Sequence, residues 1–300
     1  LALEADYFVR KNINAVIPVR LGNDFVNRNA GEIKNSGFEL SLDWSDQLAS
    51  GISYRIGGNI STLKNEVTDI YGQPYIDGGS AEFRRRTMVG EPLLAFFGYE
   101  VVGVYQNDEQ VQNDPIAQAN GLVPGDLKYR DQNNDGVIDD KDRVVLGSYL
   151  PSFTYGANLG ISYRNFELSA TLMGQTGNKI LNRKRGEIIW TPDGNMDADL
   201  ALNRWHGENT SNKYPSSAGL RKGWNQKMST FFVEDGDFFR IQNVQLAYNF
   251  NNLQAFGKKM PQSRLILTAE RPLTVFSYNG FNPEVPNGLD TQMYPIPAVY

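Results

Sequence analysis

The sequence predicts an all-β chain, an antiparallel β-barrel with long loops, and three observations carry that expectation. Apolar and polar residues alternate with a period of two along much of the chain, which marks strands with one greasy and one polar face. The connections between alternating runs switch between short and long. The composition, with 15 Tyr, 16 Phe and 29 Gly, suits short strands joined by many turns.

The first run, 37–44, places Phe38, Leu40, Leu42 and Trp44 on one face and Glu39, Ser41 and Asp43 on the other. After the connection 46–51, Ile52, Tyr54, Ile56 and Ile60 alternate with Ser53, Arg55, Asn59 and Ser61, so the two runs predict a hairpin. Runs 155–163 and 166–172 predict a second hairpin with a tight turn at Arg164 and Asn165. Val244, Leu246, Tyr248 and Phe250 alternate with amides and Ala247, and a further strand follows Pro261 over 265–270. Strands of roughly 9–11 residues match a tilted bilayer crossing, and Tyr, Phe and Trp at their ends suit an interfacial girdle. The connections 105–149 and 176–230 are long on one side only, as in an outer-membrane barrel. By itself, the alternation fits equally well a soluble antiparallel protein whose greasy face packs on a second sheet.

At 300 residues the chain can be one large barrel or two ordinary domains. It has no cysteine, which removes disulfide scaffolds, thiolate metal sites and cysteine nucleophiles. A net charge of −5 and a pI near 5.1 speak against a nucleic-acid partner. The run Arg84, Arg85, Arg86 is expected to be a solvated loop or a lumen-facing patch. No stretch approaches the roughly 18 apolar residues of a spanning helix, and mean hydropathy is −0.44, which a membrane barrel with hydrophilic loops shares. The opening residues show no basic segment followed by an apolar one, so the chain is expected to begin in mid-structure.

One motif carries a mechanism. In 131–142, Asp131, Asn133, Asp135, Asp139 and Asp142 place side-chain oxygens at positions 1, 3, 5, 9 and 12 of a loop with Gly136 at position 6. Val137 at position 7 would offer its carbonyl, and Ile138 would anchor the loop on an apolar neighbour. A structural Ca2+ ion would staple this long loop; an Asx-rich turn without metal is the competing reading. Asp142 in place of the usual Glu shortens the reach at position 12, and the flanks, with Pro124 and Gly125 before and 144–147 after, do not look helical.

Catalysis has little to work with. His206 is the one histidine and lies beside Trp205 in a polar stretch, which marks an ordinary loop residue. Convergent carboxylates of a glycoside hydrolase would need a geometry that sequence does not give. Trp190, Trp205 and Trp224 are the candidates for stacking on a ligand, set against a role in loop packing.

Several segments in order resemble the C-terminal barrel of SusC/RagA-type TonB-dependent transporters: 35–40 around Gly37, 90–98 followed by 103–106, 124–129 running into the Asp-rich loop, 150–156, Arg204-Trp205, 233–248 including Arg240, and Asn282-Pro283-Glu284. The resemblance spans essentially the whole chain. It implies a transmembrane antiparallel β-barrel, with residues 1–300 as its C-terminal part and with the plug domain and final strand missing. It further implies TonB-dependent import of glycans or oligopeptides across the outer membrane, a SusD-like surface lipoprotein as partner, and the TonB complex acting through the missing N-terminal part. The alternative is a soluble, secreted, calcium-stabilised β-protein that binds carbohydrate. What covers the greasy faces of the strands discriminates the two.

Overall fold

A computed structural model describes residues 1–22, 24–79, 82–182, 198–219, 223–250, 254–255, 258–259, 262–290, 294–295 and 297–300. Seven strands form one antiparallel wall in chain order: β1 (Ala2–Leu21), β2 (Asp24–Gln47), β3 (Ile52–Thr62), β4 (Phe153–Tyr163), β5 (Phe166–Thr176), β6 (Phe238–Phe250) and β7 (Ser263–Phe276). A short strand, Lys64–Ile70, pairs with the upper part of β2. The wall has two ends, β1 and β7, so the described strands are an open stretch of barrel rather than a closed one.

The predicted hairpins are present in register. Tyr163 pairs with Phe166 across Arg164 and Asn165, where Arg164 takes a left-handed φ of 53°, and β2 turns into β3 through Gly51 at φ 84°. The strand before them, β1, carries the same alternation in Leu3, Ala5, Tyr7 and Val9. It lies ahead of the first run singled out above, because Glu4, Asp6 and Arg10 on its other side, with Lys11 following Val9, give the segment a polar look. β1 and β2 also run well beyond 9–11 residues, with 20 and 24 residues.

Register turns the alternation of single strands into continuous bands. Tyr54, Ile161, Leu168, Leu246 and Leu267 lie side by side across five strands, and Trp44, Ile56, Leu159, Ala170, Val244 and Ala269 form the next band. On the opposite face, Ser45, Arg55, Gly160, Ser169, Gln245 and Thr268 are neighbours. One irregularity interrupts the bands: Gln242 is bulged out between Ile241 and Asn243, opposite Arg271 and Pro272 of β7. Proline has no N–H for a ladder, so the bulge is where β7 can accommodate it.

Among the described residues no second layer covers the greasy bands. Phe166, Leu168 and Leu267 keep 54%, 46% and 61% of their surface. Aromatic side chains edge the bands. Trp44 and Tyr54 lie 6.3 Å apart, and Phe166, Tyr248 and Phe250 form a chain with centroid spacings of 4.7 and 4.8 Å at the tight-turn end. Phe153 and Tyr155 mark the other end. Ten residue steps separate Phe153 from Tyr163, roughly 33 Å along the strand, or about 25 Å of height at the tilt of an outer-membrane strand. That is the thickness of a lipid-facing band. The soluble sandwich, which needs these faces buried, does not fit.

The buried core lies elsewhere, in the long connections. The described residues of 71–149 and 177–236 together make a cap at the end of the wall opposite the tight turns. The cap has its own four-stranded sheet (Ile76–Gly79, Arg84–Thr87, Ala95–Tyr99, Arg143–Gly147) and smaller pairings, Val101–Val104 with Leu127–Tyr129 and Lys179–Asn182 with Val233–Asp235. Its centre is Phe83, Phe96, Tyr99, Leu127, Tyr129, Leu181, Leu200, Met228, Phe231 and Phe232. The arginine run is a strand of this sheet rather than a solvated loop. Arg86 is bound by both carboxylate oxygens of Asp77 at 2.7 and 2.8 Å and lies between the rings of Tyr75 and Phe97, 3.7 and 3.9 Å from their centroids.

If the greasy face meets lipid, an arginine in the middle of it is costly and one on the polar face is not. Leu159→Arg should cost about 2–4 kcal/mol of folding free energy in liposomes. Asn158→Arg, one residue away, should cost under about 1 kcal/mol. Denaturant titration of the reconstituted protein followed by tryptophan fluorescence reads both.

Candidate functional site

The polar face of the wall and the cap above it form the candidate site. Near the cap the face presents Glu39, Ser41, Asn59, Ser61 and Thr154 around a recess of about 580 Å3. Hydrogen bonds along the bands order it: Thr171 Oγ1 to Asn158 Oδ1 at 3.0 Å, Gln245 Nε2 to Thr268 Oγ1 at 3.3 Å, and Ser61 Oγ to Glu39 Oε1 at 3.4 Å. Lower down, Glu167 accepts from Asn249 Nδ2 at 2.6 Å and from Arg264 at 2.7 Å. Hydroxyls, amides and charged groups dominate this surface.

Two glycines explain why the chain can be built so tightly here. Gly37 sits where β2 changes partners from Lys64–Ile70 to β3, and a Cβ there would lie 1.9 Å from the Thr62 carbonyl oxygen. Gly98 lies under Met228, whose carbonyl oxygen would be 2.3 Å from a Cβ; the adjacent Tyr99 N–H donates to that carbonyl at 2.8 Å.

The Asp-rich loop is a chain of Asx turns. Asp131 accepts from the N–H groups of Asp135 at 3.3 Å and Gly136 at 2.8 Å, Asn133 Oδ1 from Asp135 N at 3.1 Å, and Asp135 Oδ1 from Val137 N at 3.0 Å. Asn134 and Gly136 take left-handed φ values of 59° and 81°, as the turn requires. The Asn133 amide and the Val137 N–H hold the Asp135 carboxyl below the usual range. Asp142 is fully buried and accepts from Gln132 N at 2.9 Å and Asp139 N at 2.8 Å, while Asp139 caps the following turn through Lys141 N at 2.8 Å. Ile138 is buried in the cap core and Val137 is exposed. The Lys141 ammonium lies 3.7 Å from Asp135 and 3.5 Å from Asp139. Among the described residues no three acidic or histidine side chains converge as a metal cluster.

Trp205 and Trp224 both pack against the cap core. Trp205 Nε1 donates to Gln106 Oε1 at 3.2 Å; Trp224 Nε1 donates to the Leu127 carbonyl at 2.8 Å, and its ring lies 5.2 Å from Tyr129. Trp190 lies outside the described residues. His206 is held by its backbone, with its N–H on Thr210 Oγ1 at 2.9 Å. A residue that sequence reasoning passed over is Asn225. It is buried, accepts from Leu127 N at 2.6 Å and donates to Asp126 Oδ1 at 2.9 Å and Gly219 O at 2.8 Å, so it stitches the two halves of the cap together.

No protein-family model matches the chain. Among curated proteins, TonB-dependent receptor P26 of Formosa agariphila is 30% identical over 255 residues, covering 82% of this chain and 25% of the relative. TonB-dependent receptor SusC of Bacteroides thetaiotaomicron is 25% identical over 302 residues, covering 97% of this chain and 28% of the relative. The solved RagAB peptide importer in its open-open state superposes on 99% of this chain with a TM-score of 0.77, at 21% identity and over 31% of that chain. The chain belongs to the SusC/RagA group of TonB-dependent receptors. It spans between a quarter and a third of the length of these relatives. In a transmembrane barrel the greasy bands face outward and the polar bands face the lumen.

Two outcomes test this account of the cap. Asn225→Ala leaves the buried Asp126 carboxylate and Leu127 N–H short of a partner, and should destabilise the cap by about 2–3 kcal/mol, read as faster amide exchange over 95–130. Asp114 is opposed by burial, but Lys128 at 2.8 Å and the Tyr105 hydroxyl at 2.9 Å outweigh it and lower its pKa. A lowered folded pKa gives stability that is present above the ordinary aspartate value of about 3.9 and lost as pH falls through the folded one. Limited proteolysis between pH 6 and 3 should therefore show acid opening at 105–128, and Asp114→Asn should flatten that dependence.

Proposed function

We propose that this chain is part of the wall and mouth of an outer-membrane channel that imports oligosaccharides or oligopeptides, driven by the TonB complex and lidded by a SusD-like surface lipoprotein. The observation that carries the reading is the uncovered greasy face, aromatic at both ends and about 25 Å tall, backed by a continuous polar face that ends under a folded cap. The names of the relatives agree: TonB-dependent receptors on one side, a peptide importer on the other. The lumenal bands of hydroxyls, amides and charges suit a hydrophilic solute, and no step of bond chemistry is assigned to them.

The test uses the complete parent protein in its own cells. It should stay with outer membranes after carbonate washing and migrate heat-modifiably. Deleting it, or disabling TonB, should abolish uptake of its labelled oligomeric substrate. A protein recovered in soluble form from the medium overturns the proposal, as does uptake that survives loss of TonB.

A structural Ca2+ ion in 131–142 is a second, separate proposal, supported by the spacing of Asp131, Asn133, Asp135, Val137, Asp139 and Asp142 and by the left-handed Gly136. Calcium would have to displace Lys141 from Asp135 and Asp139. Calcium should thus protect the loop from proteolysis, and more strongly in Lys141→Ala. Equal cleavage with calcium and with chelator in both proteins leaves the Asx turns as the whole account.

A further inference from the structure

Two of the segments that carry the family resemblance, 233–248 and 282–284, meet in space. Arg240 of β6 lies on the lumenal face, in the band Ser41, Asn59, Gly156, Met173, Arg240, Thr274. It is 3% exposed. Its Nε donates to Thr274 Oγ1 at 3.1 Å, its guanidinium carbon lies 5.0 Å from the Phe238 ring centroid, and an Nη group donates to Glu284 Oε2.

Glu284 belongs to a strap, 278–290, that leaves the end of β7 and crosses the upper lumenal face. Asn282 Oδ1 accepts from Glu284 N at 2.9 Å and so sets its position. The strap is fastened to the cap at several points. Asn279 N donates to Glu234 Oε2 at 2.8 Å, Asn182 Nδ2 donates to Asn279 O at 3.0 Å, Arg85 donates to Asn287 O at 3.4 Å, and Leu289–Asp290 pairs in parallel with Lys179–Asn182. Glu284 ties this cap-bound strap to the barrel wall.

The two ends of the ion pair differ in environment. The Arg240 side chain is 4% exposed and the Glu284 side chain 39% exposed. A guanidinium that deep is stable only with a partner, whereas the carboxylate remains within reach of water and of a solute in the lumen. Such a pair holds firmly yet can be broken from one side.

We propose that Arg240 and Glu284 form a latch: closed, it holds the strap and the attached cap across the lumenal face, and released, it lets them lift so that a solute passes. The inference rests on the import reading and names the contact that governs entry to that same channel.

The chain has no cysteine, so a reporter can be placed cleanly within it. In cells making the full-length receptor, Asn243→Cys reports the lumenal face below the strap and Glu208→Cys reports the outer surface of the cap, each probed with membrane-impermeant fluorescein maleimide. Glu284→Gln should raise the labelling rate at 243 by about fivefold or more (a fold-change of about 1 kcal/mol), with Glu284→Asp close to the parent and position 208 unchanged. An unchanged rate at 243 in Glu284→Gln overturns the latch while leaving import intact. Failure of the parent to reach the outer membrane overturns the import reading and the latch with it. Should Glu284→Gln not assemble, Arg240→Lys carries the same test: it keeps the charge and loses the fork, and a parental rate there also overturns the proposal.

Discussion

Everything in this structure depends on one constraint: the wall must satisfy its backbone hydrogen bonds sideways, because among the described residues no second layer packs against its greasy face. A strand whose greasy face meets lipid gains nothing from a buried core and has no water on that face to pair with its N–H and C=O groups. The ladders from β1 to β7 supply those partners, and the register that makes them also aligns Tyr54, Ile161, Leu168, Leu246 and Leu267 into one band. A one-residue slip would turn Leu168 into the lumen and Glu167 into lipid. The tight turn at Arg164 and Asn165 and the bulge at Gln242 are the local devices that hold the register.

Apolar burial is therefore displaced to the cap, and the polar chemistry follows it. Arg86 between Tyr75 and Phe97, Asn225 between Asp126 and Leu127, and Asp142 under two N–H groups are the kind of buried polar group that stays folded only when each donor and acceptor is met. The cap is thus a small globular body with its own core, attached to a wall whose greasy face stays exposed.

This division decides what could be read from sequence. The hairpins were legible because period-two alternation is a local signal, and Tyr163 and Phe166 advertise their turn. β1 was obscured by Glu4, Asp6 and Arg10 on its polar side and by Lys11 after its apolar run. The cap strands carried no such alternation: Arg84–Thr87 and Ala95–Tyr99 are neighbours in the chain, but Ala95–Tyr99 also pairs with the distant Arg143–Gly147, and no local period reports that contact. The same holds for the candidate site. The spacing 131–142 announced a turn with its oxygens inward, and the turn is there, but that Lys141 lies beside two of its carboxylates is a fact of three dimensions. Trp205 and Trp224 stood out as bulky aromatics in polar stretches. Their ring N–H groups, aimed at Gln106 and Leu127, explain their presence as anchors of the cap. Asn225, an unremarked amide in a polar run, had no signal that could have found it.

The greasy bands have a consequence for how such a chain can change over generations. Lipid is a fluid neighbour with no shape of its own, so Leu168 or Leu267 can become Val, Ile or Phe without any partner having to change in step. A globular core gives no such freedom, since Phe96 and Phe232 must fit what surrounds them. The wall can drift in identity while keeping its geometry, and inherited change in the cap has to proceed by whole loops, each bringing its own packing with it.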